Sequence, residues 1–131
     1  MSFEAQRAAI ETYLNLNWHT TEIHYDNVPF VHEDTTKPYI NLIIIPAEME
    51  QTGMGGTTNN YRVYSVVQID IFVPEDTGTK TIATYTDTLI ALFRGKTLSG
   101  IIFRDFDFFR GMEMGFLRWT IRCNCFMDYC A

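Results

Sequence analysis

The stretch YRVYSVVQIDIFVP, Tyr61 to Pro74, alternates as a strand does. Val63, Val67, Ile69, Ile71 and Val73 fall on one face. Arg62, Tyr64, Gln68 and Asp70 fall on the other, with Val66 and Phe72 among them. Successive strand side chains point to opposite faces, so this segment lies with one face on a core. Upstream, YINLIII (Tyr39 to Ile45) is rich in β-branched residues and puts Ile40, Leu42 and Ile44 on one face. Pro46 brings no N–H to a ladder, so it marks an edge, a bulge or an exit. Extended character resumes through AEMEQ, and Gly53, Gly55 and Gly56 make a flexible tip. The two segments are expected to form a long β-hairpin with a base in the core and a polar arm at its end.

Working outward, Phe3, Arg7, Ile10, Tyr13 and Leu14 recur at helical spacing, with Ser2 as a candidate N-cap. This predicts a helix from about Phe3 to Leu16. TTEIHYDN alternates as a short strand, and NVPFVHEDTTKP connects it onward as a loop. After Pro74, EDTGTK is a turn, with Asp76 or Thr77 as N-cap of a second helix over Thr79 to Phe93. Ile82, Tyr85, Thr86, Leu89, Leu92 and Phe93 form its apolar stripe, and Gly95 follows as the residue after the C-cap. GIIFRDFDFFR reads as a strand of irregular burial, with Phe103 in phase with Asp105 and Asp107, and GMEMG as a turn or loop. The last strand, Phe116 to Met127, sets Leu117, Trp119, Ile121, Cys123, Cys125 and Met127 against Arg118, Thr120, Arg122 and Asn124. The order is α-β-β-β-α-β-β. Two helices are too few for both faces of a doubly wound sheet. The expected fold is α+β: a mainly antiparallel or mixed sheet, two helices on one face and the extended hairpin arm.

The 131 residues fit one domain, 1–131. No apolar run approaches the ~20 residues that span a bilayer. The first residues, MSFEAQRAAIETYL, carry acids and helical periodicity rather than a signal-peptide pattern. A soluble, cytoplasmically made protein without membrane contact is expected. The net charge of −6 and the scattered basic residues disfavour a phosphate-gripping surface. Three cysteines, Cys123, Cys125 and Cys130, do not close a disulfide framework.

Candidate chemistry is sparse. VPEDTGTKT sits where a phosphate loop would, but it has one glycine, Thr79 separates that glycine from Lys80, and Glu75 and Asp76 would repel phosphate. Cys123 and Cys125 stand two apart on the inward face of a strand, which suits core thiols better than zinc ligands. Cys130 is the candidate for an inter-subunit thiol. His24, His32, Glu33 and Asp34 lie in or beside the proline-bounded loop and read as solvated. No set of residues takes the roles of base, nucleophile and oxyanion donor. No cofactor, metal site or catalytic residue is therefore expected. Met49, Met54, Met112 and Met114 are apolar residues where exposure is expected, and methionine adapts to irregular partner surfaces.

DNVPF (Asp26 to Phe30), KPYINLIIIPAEMEQTG (Lys37 to Gly53) and YRVYSVVQIDIFVPEDTGT (Tyr61 to Thr79), flanked by the two helices, resemble the tail terminator, or tail completion, proteins of long-tailed bacteriophages, of the type related to lambda's minor tail protein U. The resemblance spans nearly the whole chain in element order. The C-terminal CNCFMDYCA departs from the family's pattern. The resemblance implies an α+β virion protein without catalysis or cofactor, assembled in the host cytoplasm. It implies a six-membered ring of identical subunits on the head-proximal end of the tail tube. The ring stops tube polymerisation and gives the neck, or head–tail connector, its attachment surface. DNA would pass through the lumen without specific binding, and an acidic lining would leave the duplex no lasting hold. Under this reading the arm residues Glu48, Met49, Glu50, Gln51, Met54, Asn59, Asn60 and Arg62 are candidates for assembly contacts, together with Arg110, Met112 and Met114. Two rival expectations are another neck component of similar fold and a small cytosolic enzyme or ligand-binding domain.

Overall fold

A computed structural model describes residues 2–26, 37–55, 58–76, 78–113 and 115–130, without the side chains at 2, 54, 58 and 130. Its elements are α1 (Ser2–Asn17), β1 (Glu22–Tyr25), β2 (Tyr39–Gly55), β3 (Thr58–Pro74), α2 (Lys80–Phe93), β4 (Thr97–Leu98), β5 (Ile101–Glu113) and β6 (Phe116–Cys130). The strands form one curled sheet in the order β1-β2-β3-β6-β5-β4. β1 runs parallel to β2 and every other pair is antiparallel. The fold is the expected α+β arrangement.

The connectivity explains the order. Helix α2 carries the chain from β3 to the far edge, where β4 and β5 build inward and β6 closes against β3. Both helices lie on one face. Ile10 and Leu14 of α1, Trp18 just after it, and Ile82, Leu89 and Phe93 of α2 join Ile40, Leu42, Val67, Ile69, Ile71, Ile121 and Cys123 in a single core. Tyr13 Oη donates to the Leu92 carbonyl at 2.6 Å and fixes one helix to the other. Gln6 is fully buried. Its side-chain oxygen accepts from Ser65 Oγ, and its amide donates to the Val63 carbonyl at 3.4 Å. That pair satisfies a buried amide and pins the first turns of α1 to β3.

Several elements differ from the sequence expectation. β2 continues through Pro46 to Gly55, because register shifts at Pro46/Glu48 and Gln51/Gly53 absorb the irregularity. β6 runs beside β3 as far as the pair Asn60↔Cys130, so the β2–β3 hairpin belongs to the sheet along its length instead of leaving it as a free arm. A further register shift falls between Phe103 and Phe106 of β5. It places Phe103 opposite Cys125 and Phe106 opposite Cys123, both on the helix side, and breaks the expected phase with Asp105 and Asp107. Without this bulge the aspartates would share the core face with Phe103. β5 also extends through Gly111, Met112 and Glu113, where a turn or loop is expected. At α2 the cap is Thr79, with no side-chain capping bond; Asp76 instead takes a turn conformation at φ 65°, and Thr77 lies outside the described residues. Gly95, at φ 69°, follows the helix as expected.

Candidate assembly site

The sheet has two long outer edges. β1 covers β2 only over Tyr39 to Leu42. From Ile43 onward the outer edge of β2 has no strand partner among the described residues. β4 covers β5 only at Ile101 and Ile102, so the rest of the outer edge of β5 is open in the same sense. Along the first edge Glu48, Met49, Glu50 and Gln51 are exposed. Residues directly opposite in an antiparallel pair share a face. Met49 opposes Val63 and so lies on the helix side, where Tyr129 Oη approaches its sulfur at 3.6 Å. Glu48 and Glu50 oppose Tyr64 and Arg62 on the open face. Further candidates, Asn59 and Asn60, end this region on β3.

Arg62 is committed within the fold. Its Nε and Nη2 donate to both carboxylate oxygens of Asp128 at 2.8 and 3.1 Å. The guanidinium lies 4.4 Å over the Phe126 ring and holds the Asp128 carboxyl below the usual carboxylate range. A bidentate pair stacked on an aromatic ring organises this end of the sheet. Met114 lies outside the described residues, as do the side chains of Met54 and Cys130.

The second edge is aromatic. Phe108, Phe109 and Met112 are 56%, 51% and 61% exposed. On the helix side, Thr86, Phe108, Arg110, Trp119 and Ile121 line a cleft of about 220 Å³. Arg110 makes no ion pair among the described residues. The Trp119 indole N–H is buried and has no acceptor among them. On the open face, Gln68, Asp70, Phe109, Arg118, Thr120 and Arg122 line a cup of about 270 Å³. Asp70 is buried there and accepts from Thr120 Oγ1 at 2.6 Å and from Gln68 Nε2 at 3.2 Å. Arg122 Nε donates to Gln68 Oε1 at 2.9 Å, and its guanidinium lies 5.3 Å over Phe109. Gly111 opposes Arg118, and a Cβ there would meet Arg118 Nη2 at 2.9 Å. The glycine thus lets the arginine lie across β5, where Nη1 reaches Glu113 at 3.3 Å. Arg118 Nε is buried without an acceptor among the described residues. The candidates Glu48 to Gln51 and Arg110 with Met112 therefore sit on opposite edges of the sheet, not in one patch.

Elsewhere the chemistry is structural. Cys123 and Cys125 are buried, and burial pushes their thiols up to about 11 and about 12. His24, expected to be solvated, is a buried residue of β1. Its ring stacks on Tyr39 at 4.7 Å, and Tyr39 stacks on Phe72 at 4.6 Å. The strand position explains the difference, since the pair His24↔Asn41 draws the ring onto the sheet. His32, Glu33 and Asp34 lie outside the described residues. Among the described residues no cluster of three or more His, Cys, Asp or Glu could hold a metal, and no helix is long and apolar enough to cross a membrane.

A family model described as phage tail terminator protein matches residues 5–114. The chain belongs to the phage tail terminator protein family. It is accordingly a phage tail structural protein and a virion component. The matched residues end before β6, the strand that carries the divergent cysteine-bearing C-terminus. No curated protein sequence matches. A solved structure 19% identical superposes with a TM-score of 0.69, covering 98% of this chain and 97% of the other. At that identity the likeness establishes a shared fold, and nothing finer.

Proposed function

We propose that the chain closes into a six-membered ring on the head-proximal end of the tail tube, stops tube polymerisation there and gives the neck its attachment surface. Membership of the terminator family carries this reading. The lambda minor tail protein U type is the subtype we favour, from the element order noted above. The two open sheet edges support the reading, because a ring of identical subunits joined head-to-tail needs two different surfaces on each copy. A terminator of this kind acts by geometry: one ring face matches the last tube layer and the other the connector. The partners are other copies of the chain, the tube protein and the connector, and the site is the tail–neck junction. The acidic balance of −6 suits a lumen through which DNA passes without lodging. No catalysis or cofactor belongs to this mechanism.

The test is the native mass of the purified protein with and without tail tubes, together with micrographs of the tubes. Hexamers decorating one tube end support the proposal. Monomers that ignore tubes under all conditions overturn it. Shortening the segment from Gly53 to Asn59 should leave the monomer folded and give over-long tubes. Normal tube lengths would remove that segment from the capping contact.

A further inference from the structure

The two edges differ in a complementary way. Glu48, Met49 and Glu50 are consecutive residues of an exposed strand, so they alternate: methionine toward the helix side, both carboxylates toward the open face. The outer edge of β5 alternates to match. Its helix side carries the aromatic cleft with the unpartnered Trp119 N–H, and its open face carries Arg118 and Arg122 around Phe109. We infer that the outer edge of β5 receives the Glu48–Met49–Glu50 segment of a second copy, with Met49 entering the aromatic cleft and the two carboxylates meeting Arg118 and Arg122.

Four observations carry this beyond a generic sticky edge. First, the faces agree. β2 and β5 run in opposite directions, so a second copy in the same orientation pairs its β2 antiparallel to β5 with the helix sides continuous, and Met49 and the cleft are both on that side. Second, the chemistry agrees. A thioether is attracted to aromatic rings, and Phe108 and Trp119 supply them. Third, the charges agree. Two carboxylates about 7 Å apart along a strand meet two guanidinium groups, one of which holds a buried Nε–H without an acceptor. Fourth, donor and acceptor segments lie at opposite sides of the strand order, so every copy offers both. The contact is heterologous and repeats around a closed path.

The edges differ in how they resist random pairing. Pro46, two register shifts and the carboxylates interrupt β2. From Phe106 to Glu113 β5 runs without a shift and exposes aromatic side chains. The interrupted edge can dock only where side chains fit, which suppresses indiscriminate ladder growth by the open one.

This inference rests on the ring reading, and one experiment separates the two. In a Cys130→Ser background, Met49→Cys, Phe108→Cys and Asp107→Cys are made singly, at exposed positions whose loss leaves the core intact. Pairs are mixed with tail tubes, oxidised and separated without reductant. A covalent dimer is expected from Met49→Cys with Phe108→Cys. None is expected from either alone, nor from Met49→Cys with Asp107→Cys, whose side chain faces Arg122 on the open side. Rings on tube ends without the first cross-link, or Phe108→Cys linking to itself, would overturn this inference and leave the ring reading standing. Absence of both rings and cross-links overturns both. Independently, Glu48→Lys with Glu50→Lys should abolish ring formation at an unchanged melting temperature. Rings formed as readily as before would overturn the carboxylate half.

Discussion

β5 and β6 are neighbouring antiparallel strands of similar length, 13 and 15 residues, yet they do different work. β6 is hydrogen-bonded on both sides, by β3 and by β5, and its helix-side residues Leu117, Ile121, Cys123 and Cys125 belong to the core. β5 has one paired side. Beyond Phe103 its residues are exposed or only partly covered, because two helices do not reach across six strands. The strand that closes the core reads as a regular alternation. The strand that faces outward breaks that alternation with a bulge and carries aromatic residues no core needs. Burial enforces pattern, and an edge that serves a partner escapes that enforcement.

The largest expected effects test the buried half. Leu89→Ala removes a side chain 1% exposed at the centre of the core and should cost about 2–5 kcal/mol of stability, read by chemical denaturation. Phe108→Ala, a larger truncation on the exposed edge of β5, should stay within about 0.5 kcal/mol. Equal costs would break the comparison, since they would make β5 part of the core.

Next comes the polar pin beneath α1. Ser65→Ala removes the donor to buried Gln6 and leaves its side-chain oxygen without that bond. An unsatisfied buried group of this kind costs about 1–3 kcal/mol. Gln6→Leu restores an apolar contact, so the double variant should recover most of the loss. A double variant as unstable as Ser65→Ala would show that shape, not hydrogen bonding, sets this site.

A pH effect follows from the thiols of β6. Burial raises both above the ordinary value of 9.0, to about 11 and about 12. The unfolded chain therefore releases these protons first. Stability from the neutral thiols is complete below pH 9 and falls from there toward pH 11–12. Each thiol contributes a slope of about 1.4 kcal/mol per pH unit inside that window. The folded protein should also resist iodoacetamide at Cys123 and Cys125 at pH 8, and both should alkylate once it is unfolded. Ready alkylation in the folded state would mean that β6 opens locally.

How much of this was legible in the sequence follows the same division. Both helices, the core face of β3 and the inward cysteines of β6 announce themselves by period, because a single buried face imposes it. The bulge in β5, the burial of His24 and the pairing of Arg62 with Asp128 depend on which strand lies alongside, and no local pattern encodes that. Glu48 to Gln51 read correctly as exposed. That Arg110 and Met112 lie on the opposite edge from them follows only from β6 entering between β3 and β5. Nor could spacing reveal Arg118 and Trp119 as candidates, since their role comes from Gly111 across the strand and from donors left without acceptors. The one signal, Gly111, is hidden by the expectation of a turn at GMEMG; only once β5 is seen to run through it does the glycine mark close approach of another group.

That glycine gives the smallest expected change in stability and the sharpest test of the edge. Gly111 has no left-handed backbone requirement, since it is absent from the residues with positive φ. Alanine there gains about 0.5–1 kcal/mol from the reduced freedom of the unfolded chain. Against this, its Cβ would stand 2.9 Å from Arg118 Nη2, the far end of a flexible side chain that can swing away. The two effects nearly cancel, so Gly111→Ala should melt within a few degrees of the parent protein. The displaced guanidinium, however, no longer lies across β5 at the outer edge. If the edge only terminates the sheet, nothing further changes. If it receives the acidic segment of a neighbour, ring formation on tubes weakens while the monomer stays intact. Gly111→Ala combined with Arg118→Lys should be no worse than either change alone, because both remove the same forked donor from the same place.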